Sequence, residues 1–256
     1  MSGWSPDCYL QFANERLKPI QDLIHRISYE RPKRVVDLGC GPGNSTAELR
    51  NRWPYAEIMG IDQSSEMLNK ARQSGLQANW LKADISHWQA LDSVDVLFAN
   101  AVLHWLPNHE VLFPRLIDQL TTSGILAVQM PANFDTPLYQ LVDELVSSAY
   151  WHKRFKSFEK AITFEKTAFY YDVLAPLCSS IDLWETCYCH VMENHQAILN
   201  WFRGTGLRPY LTALDNNDWQ QEFEQQILMG YQQAYPKQEN GYILFPFRRL
   251  FIVAQR

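Results

Sequence analysis

Three aspartates and an asparagine stand where short apolar runs end. Val35-Val36 leads into Asp37, Ile58-Met59-Gly60-Ile61 into Asp62, Ala78 to Ala83 into Asp84, and Val94 to Ala99 into Asn100. Side chains that end successive strands of an open α/β sheet collect along one rim, which is where such sheets bind ligands. Between the first two acids runs Gly39-Cys40-Gly41-Pro42-Gly43-Asn44-Ser45-Thr46, with three glycines at alternate positions and a helical pattern opened by Ser45 and Thr46. That order is strand, tight turn, helix N-terminus, a layout that lets backbone approach a nucleotide-like ligand closely. A carboxylate about twenty residues further on, here Asp62, can accept from both ribose hydroxyls of an adenosine.

Charge separates the adenosine ligands. The dinucleotide fingerprint G-x-G-x-x-G seats a pyrophosphate on the helix N-terminus, but Asn44 occupies the place of its last glycine. Asp37, just before the glycines, would repel a pyrophosphate and attract an ammonium or a sulfonium. S-adenosylmethionine (SAM) carries both cations and no phosphate, so the acids favour SAM over NAD. The expected cofactor contacts are Asp37, Gly39, Cys40, Gly41, Gly43, Asn44, Asp62, Gln63, Met67, Asp84, Ile85 and Asn100. Asp84 can accept from the adenine amino group while the next N–H serves a ring nitrogen. It reads equally well as a helix cap.

Alternating apolar strands and helical segments from about 33 to 131 give a parallel sheet. Helices are expected at 45–52, 64–74 and 109–121, and a fifth strand at Gly124 to Met130, stopped by Pro131. Residues 5–27 read as two short helices, because Pro19 interrupts the pattern. Beyond Pro131, residues 137–152 look helical and 153–170 are aromatic and basic without clear period. Ile181 to His190 alternates like a strand. His195 to Phe202 and Trp219 to Tyr235 read as helices, and Leu250 to Ala254 as the last strand.

The whole chain, 1–256, reads as one domain, with a core at about 30–133, 176–192 and 245–256. The remaining segments, 1–29, 134–175 and 193–244, would form a cap. A net charge of −5 argues against nucleic acid as a partner. An anionic substrate would then need a locally basic pocket. Nine tryptophans suggest that some line a binding region. Five cysteines with no paired spacing and no leader point to a reducing, cytoplasmic setting. Cys187 and Cys189 point the same way on a strand, but a metal site needs more ligands than the neighbourhood offers. No apolar run approaches membrane-spanning length.

The chain resembles the class I SAM-dependent methyltransferases, and within them the group that esterifies trans-aconitate. The resemblance rests on Trp4, Tyr9, Phe12 and Glu15-Arg16, on DLGCGPGNST at 37–46 and FANAVLHWLP at 98–107, then on AVQMP at 127–131, TGLRPYL at 205–211 and RLFIVA at 249–254. It covers essentially the full length. The first block is shared by many methyltransferases, and the later ones are more particular. One departure stands out. Phe245-Pro246-Phe247-Arg248-Arg249 replaces a simpler Phe-Pro-Arg-Leu, so either arginine could be the equivalent residue, and the run into Leu250 favours Arg249.

The resemblance implies a Rossmann-like sheet of seven strands with the last antiparallel, SAM as cofactor, and a small anionic substrate such as trans-aconitate. It also implies that the N-terminal segment folds over the cofactor, where Tyr9 and Trp4 could gain cation–π attraction to the sulfonium. A carboxylate is ionised near neutrality, so methyl transfer to it needs no general base. Catalysis rests on holding the reactants in line and excluding water. Arginine forks suit carboxylates; of the candidates Arg16, Arg154, Arg203, Arg208 and Arg249, the expected substrate contacts are Arg16, Arg208, in a turn held by Gly206 and Pro209 over 205–209, and Arg249, at the entry to an apolar strand. Arginines are expected on the two spectator carboxylates, with neutral donors such as His104, Gln129 or Tyr170 orienting the reacting one. Trp105, Tyr171 and Asn133 are further pocket candidates. A methyltransferase acting on a quinone precursor or a fatty acyl thioester, a SAM-binding module without turnover, and an NAD-dependent dehydrogenase are the alternatives.

Overall fold

The apolar runs of the first half form five parallel strands, and the computed structural model describes residues 13–155, 158 and 162–256, with backbone only for 13 and 14. Trp4, Tyr9 and Phe12 lie outside the described residues. The strands are β1 (Arg34–Leu38), β2 (Glu57–Asp62), β3 (Asn79–Lys82), β4 (Val94–Asn100) and β5 (Leu120–Pro131). β6 (Ser180–Met192) and β7 (Ile243–Gln255) complete a sheet of order β3-β2-β1-β4-β5-β7-β6, with β7 antiparallel to both neighbours. β1 lies between β2 and β4, which places Asp37 opposite Gly60 and Phe98.

Period-two alternation sorts the strand side chains onto two faces. Val35, Ile58, Val96 and Phe98 pack with α1 (Ala13–His25) and α2 (Asn44–Arg52), through Ile20, Leu23, Ile24 and Leu49. Val36, Leu38, Leu97 and Ala99 pack with α4 (His109–Asp118) and α7 (Thr167–Leu174); α3 (Ser65–Gln73) links β2 to β3. Residues 167–174 and 20–27 therefore cover the sheet instead of belonging to the cap.

The third core lies above the sheet rim. β5 stops where Pro131 faces Arg249, but β7 continues to Ile243 and stays paired with β6 as far as Met192. This two-stranded extension carries Phe245 and Phe247 into a cluster with α5 (Pro137–Ser147), α6 (Ala149–His152), α8 (His195–Arg203), α9 (Arg208–Ala213) and α10 (Asn217–Ala234). Buried aromatics dominate it: Trp151, Trp201, Phe202, Tyr210 and Phe223.

Several local expectations change. Pro19 sits inside one continuous α1 instead of breaking it. Its missing N–H costs about 3 kcal/mol, and each fully buried aliphatic side chain on this helix returns about 1.5–3 kcal/mol. The helix expected over 137–152 divides at Ser148, which is extended and whose hydroxyl accepts from the Trp151 N–H. The last strand begins at Ile243, and the turn expected over 205–209 runs into a short helix, Arg208–Ala213, with Pro209 in its first turn. No described helix is long and apolar enough to cross a membrane.

Candidate active site

A cavity of about 1070 Å³ opens between the rim of the sheet and the cap. One wall is made by the segments that follow β1, β2, β3 and β4. The turn after β1 is held in a left-handed conformation at Gly39, φ +67°, and a Cβ there would stand 2.4 Å from the Val102 side chain. Only glycine fits that close approach. Gly41, φ +54°, faces open space, with nothing within 4 Å of a Cβ.

Asp62, at the end of β2, ties this turn to the next helix. Its Oδ2 accepts from the Gly41 N–H at 2.9 Å and its Oδ1 from the Ser64 N–H at 2.8 Å. Burial raises its pKa, and those N–H groups oppose the rise. A carboxylate oxygen accepts more than one bond, so Asp62 retains acceptor capacity toward the cavity it lines. Asp84, half-exposed two residues past β3, accepts from the Ser86 hydroxyl and N–H, which lower its pKa. Its cap role and its place on the lining coexist. Gln63, Met67 and Ile85 also line this wall.

Asn100 closes β4 with its Oδ1 buried and without a partner among the described residues. The next residue, Ala101, has φ +54°, a costly conformation for a side chain with a Cβ. It turns the chain into a short 3-10 turn, Leu103–Trp105, which carries His104 and Trp105 on the lining. The turn has its own buttress. His109 Nε2–H donates to the Leu103 carbonyl at 3.0 Å, and the Tyr170 hydroxyl bonds His109 Nδ1 at 2.9 Å. Tyr170 is fully buried and also accepts from the Glu165 N–H. It therefore supports the turn from behind and does not line the cavity.

His104 is buried and its Nδ1 has no partner among the described residues. Burial, with the Arg249 charge second and His109 third, pushes its pKa down to about 3. The imidazole is neutral across the physiological range.

The opposite wall is basic and aromatic. Arg16 from α1, Arg208 from the start of α9 and Arg249 from β7 all reach the lining. The Arg16 guanidinium lies 5.1 Å from the Trp201 ring and that of Arg249 lies 4.8 Å from the Phe247 ring. Contacts of this kind attract the cation to the ring face. Arg249 Nη1–H also donates to Gln129 Oε1 at 3.2 Å. The neighbouring arginine has the other fate: alternation turns Arg248 to the opposite face, where it pairs with Asp135.

The remaining candidates fall elsewhere. Arg203 makes a two-pronged pair with Glu224 at 2.5 and 2.8 Å. Arg154 donates to the Tyr150 carbonyl and lies over the Tyr150 and Trp219 rings. Asp37 lies fully buried behind the glycine turn, where one oxygen accepts from the Ser45 and Thr46 hydroxyls at 2.7 and 2.6 Å. Burial raises it to about 7, against the pull of those hydroxyls, and Oδ1 stays without a partner among the described residues. Cys40, Gly43 and Asn44 likewise shape the turn without lining the cavity; burial pushes the Cys40 thiol far up. Asn133 is buried and accepts from the Arg248 N–H, and Tyr171 is exposed. Gln129 is fully buried beneath the lining. Trp201, Thr205 and Phe247 line the cavity and were not anticipated. Trp201 falls on the apolar stripe of a helix that the period located, but nothing in the stripe says which rung meets the ligand.

An acidic wall with an open glycine turn, a carboxylate placed for a diol and an orphaned amide oxygen fits adenosine joined to a cation. The site and the sheet order define a class I SAM-dependent methyltransferase. Residues 35–124 match a family described as a methyltransferase domain. The fold is similar to that of the YcgJ protein from Bacillus subtilis, at TM-score 0.63 and 15% identity, covering 94% of this chain and 98% of that one. It is also similar to the plantazolicin methyltransferase BpumL, solved with SAH, at TM-score 0.52 and 16% identity, covering 98% and 91%. Proteins named trans-aconitate 2-methyltransferase from Azoarcus sp. (strain BH72) and from Escherichia coli O139:H28 are each 44% identical over 256 residues. Those alignments cover all of this chain and 100% and 99% of the relatives. The chain belongs to the trans-aconitate 2-methyltransferase family.

Proposed function

We propose that this enzyme methylates a carboxylate oxygen of trans-aconitate or a closely related small polycarboxylate. The observation that carries the reading is the trio of guanidinium groups, Arg16, Arg208 and Arg249, drawn from three separate elements onto one wall of the SAM cavity. Bound SAM supplies a methyl group on a sulfonium, the electrophile of an in-line displacement.

The residues divide the remaining work. Asp62 and Asp84 hold the adenosine end, the turn at 39–43 brings backbone against it, and Asn100 Oδ1 offers an acceptor near the methyl. The arginines host the spectator carboxylates, where bidentate bonding fixes orientation. A guanidinium clamped on the reacting carboxylate would withdraw its lone pairs, so that group is oriented by neutral His104. No base is needed, because the acceptor enters ionised. The gain comes from alignment and from water excluded by Trp105, Trp201 and Phe247.

The test is a methylation assay of the purified enzyme with SAM across trans-aconitate, dicarboxylates and a catechol, following SAH release and the methyl ester by mass spectrometry. Turnover is expected for trans-aconitate first. Preferential methylation of the catechol, or no ester from any polycarboxylate, overturns the reading.

A further inference from the structure

We propose that Gln129 is a positioning residue that orients Arg249 through a neutral contact and couples the acceptor wall to the methyl-donor wall. The inference rests on Arg249 being a carboxylate host. Gln129 is fully buried in the middle of the sheet. In the β5–β7 pair it faces Phe251, while Pro131 faces Arg249. Gln129 and Arg249 are thus diagonal neighbours on one face, within reach for long side chains, and Gln129 Oε1 accepts from Arg249 Nη1 at 3.2 Å. The same residue acts on the other side through its backbone. Its partner in β4 is Asn100, and its carbonyl accepts from the Ala101 N–H at 2.8 Å, at the residue with φ +54°. One residue therefore holds the substrate arginine with its side chain and the donor-side kink with its main chain.

The chemistry of the anchor matters. A glutamate here would reach the same guanidinium, but the contact would become a charge-assisted pair. Buried, that pair would be strong, and it would compete with an incoming carboxylate for the same donors. The neutral amide orients without competing. Gln129 Nε2 is buried with no partner among the described residues. An amide left half-satisfied is a poor structural choice, and it is explained if the oxygen alone is the useful atom.

The experiment compares Gln129→Glu with Gln129→Met, which removes the acceptor at similar volume. For each, kcat and KM are measured with trans-aconitate, SAM binding by calorimetry, and Tm by thermal melt. Gln129→Glu is expected to raise KM for trans-aconitate about tenfold or more, with SAM affinity within twofold. Gln129→Met, which keeps the arginine charge but lets it wander, is expected to lower kcat more than it raises KM. Equal effects of the two variants, or no effect of either, overturn the proposal. Should Gln129→Glu fail to fold, the kcat-against-KM split of Gln129→Met decides: an unchanged split overturns it. A wild-type enzyme that ignores every polycarboxylate would sink the proposed function instead, and is distinguished because it needs no variant.

Discussion

The two walls of the cavity are built in opposite ways. The donor wall is sequential: each contact follows one strand of β1 to β4 and lies within a few residues of its end. Its groups are held by short-range hydrogen bonds, as Asp84 is by Ser86 and Asp62 by Ser64. The acceptor wall is assembled from α1, α9 and β7, parts of the chain that meet only after the sheet and the cap have formed. Its charges rest on rings and on a buried amide. The difference shows that a common cofactor can be held by a local motif. On the proposed reading, the substrate is held by whatever the tertiary fold brings to the facing wall.

The largest expected effect belongs to the donor wall. Asp62→Ala removes two backbone anchors and, on the proposed reading, the acceptor for the ribose; at about 1.5–3 kcal/mol for a charged hydrogen bond, SAM affinity should fall about a hundredfold. Calorimetry checks this, and a loss of less than threefold would break the division into walls. Arg208→Ala should raise KM for trans-aconitate by about ten- to thirtyfold, a charged contact being worth roughly 1.5–3 kcal/mol, with SAM binding unchanged. Unaltered kinetics would remove Arg208 from the acceptor wall.

The field of the basic wall should also appear in the pH dependence of stability. His104 and His190 are held at about 3 and about 4, by burial first and then by Arg249. Both folded values lie below the unfolded 6.5, so the unfolded chain binds protons first and stability is lost as pH falls from about 6.5 toward 4. His190→Asn should flatten that acid limb by about 2 kcal/mol, read as Tm between pH 4 and 7. An identical limb in the variant would separate His190 from the effect. The smallest change is expected for Arg203→Ala. Its pair with Glu224 is partly exposed and worth about 0.5–1 kcal/mol. Tm should drop by a few degrees, while KM for trans-aconitate should not move. A raised KM would place Arg203 in the acceptor wall after all.

The sequence by itself determined the framework of the wall that follows β1 to β4. Alternating glycines, an acid after each apolar strand and the spacing of Asp37 from Asp62 are local facts, and local geometry follows from them. Even so, it assigned Asp37 to the ligand. Only the fold shows that the Ser45 and Thr46 hydroxyls hold it behind the turn. The continuous helix through Pro19 is of the same kind, because packing outweighs a local penalty that the sequence displays openly. Arg208 beside Gly206 and Pro209 and Arg249 at the entry to an apolar strand carry local marks, but the meeting of Arg16, Arg208 and Arg249 on one cavity was decided by tertiary structure. An arginine's surroundings carry no periodic mark of its partner, so the pair of Arg203 with Glu224 could not be read along the chain. Strand alternation settles Arg249 over Arg248, but only once the register of β7 against β5 says which face looks inward. Local spacing fixes the conformation of a segment, and the meeting of distant segments is fixed by the core they must jointly bury.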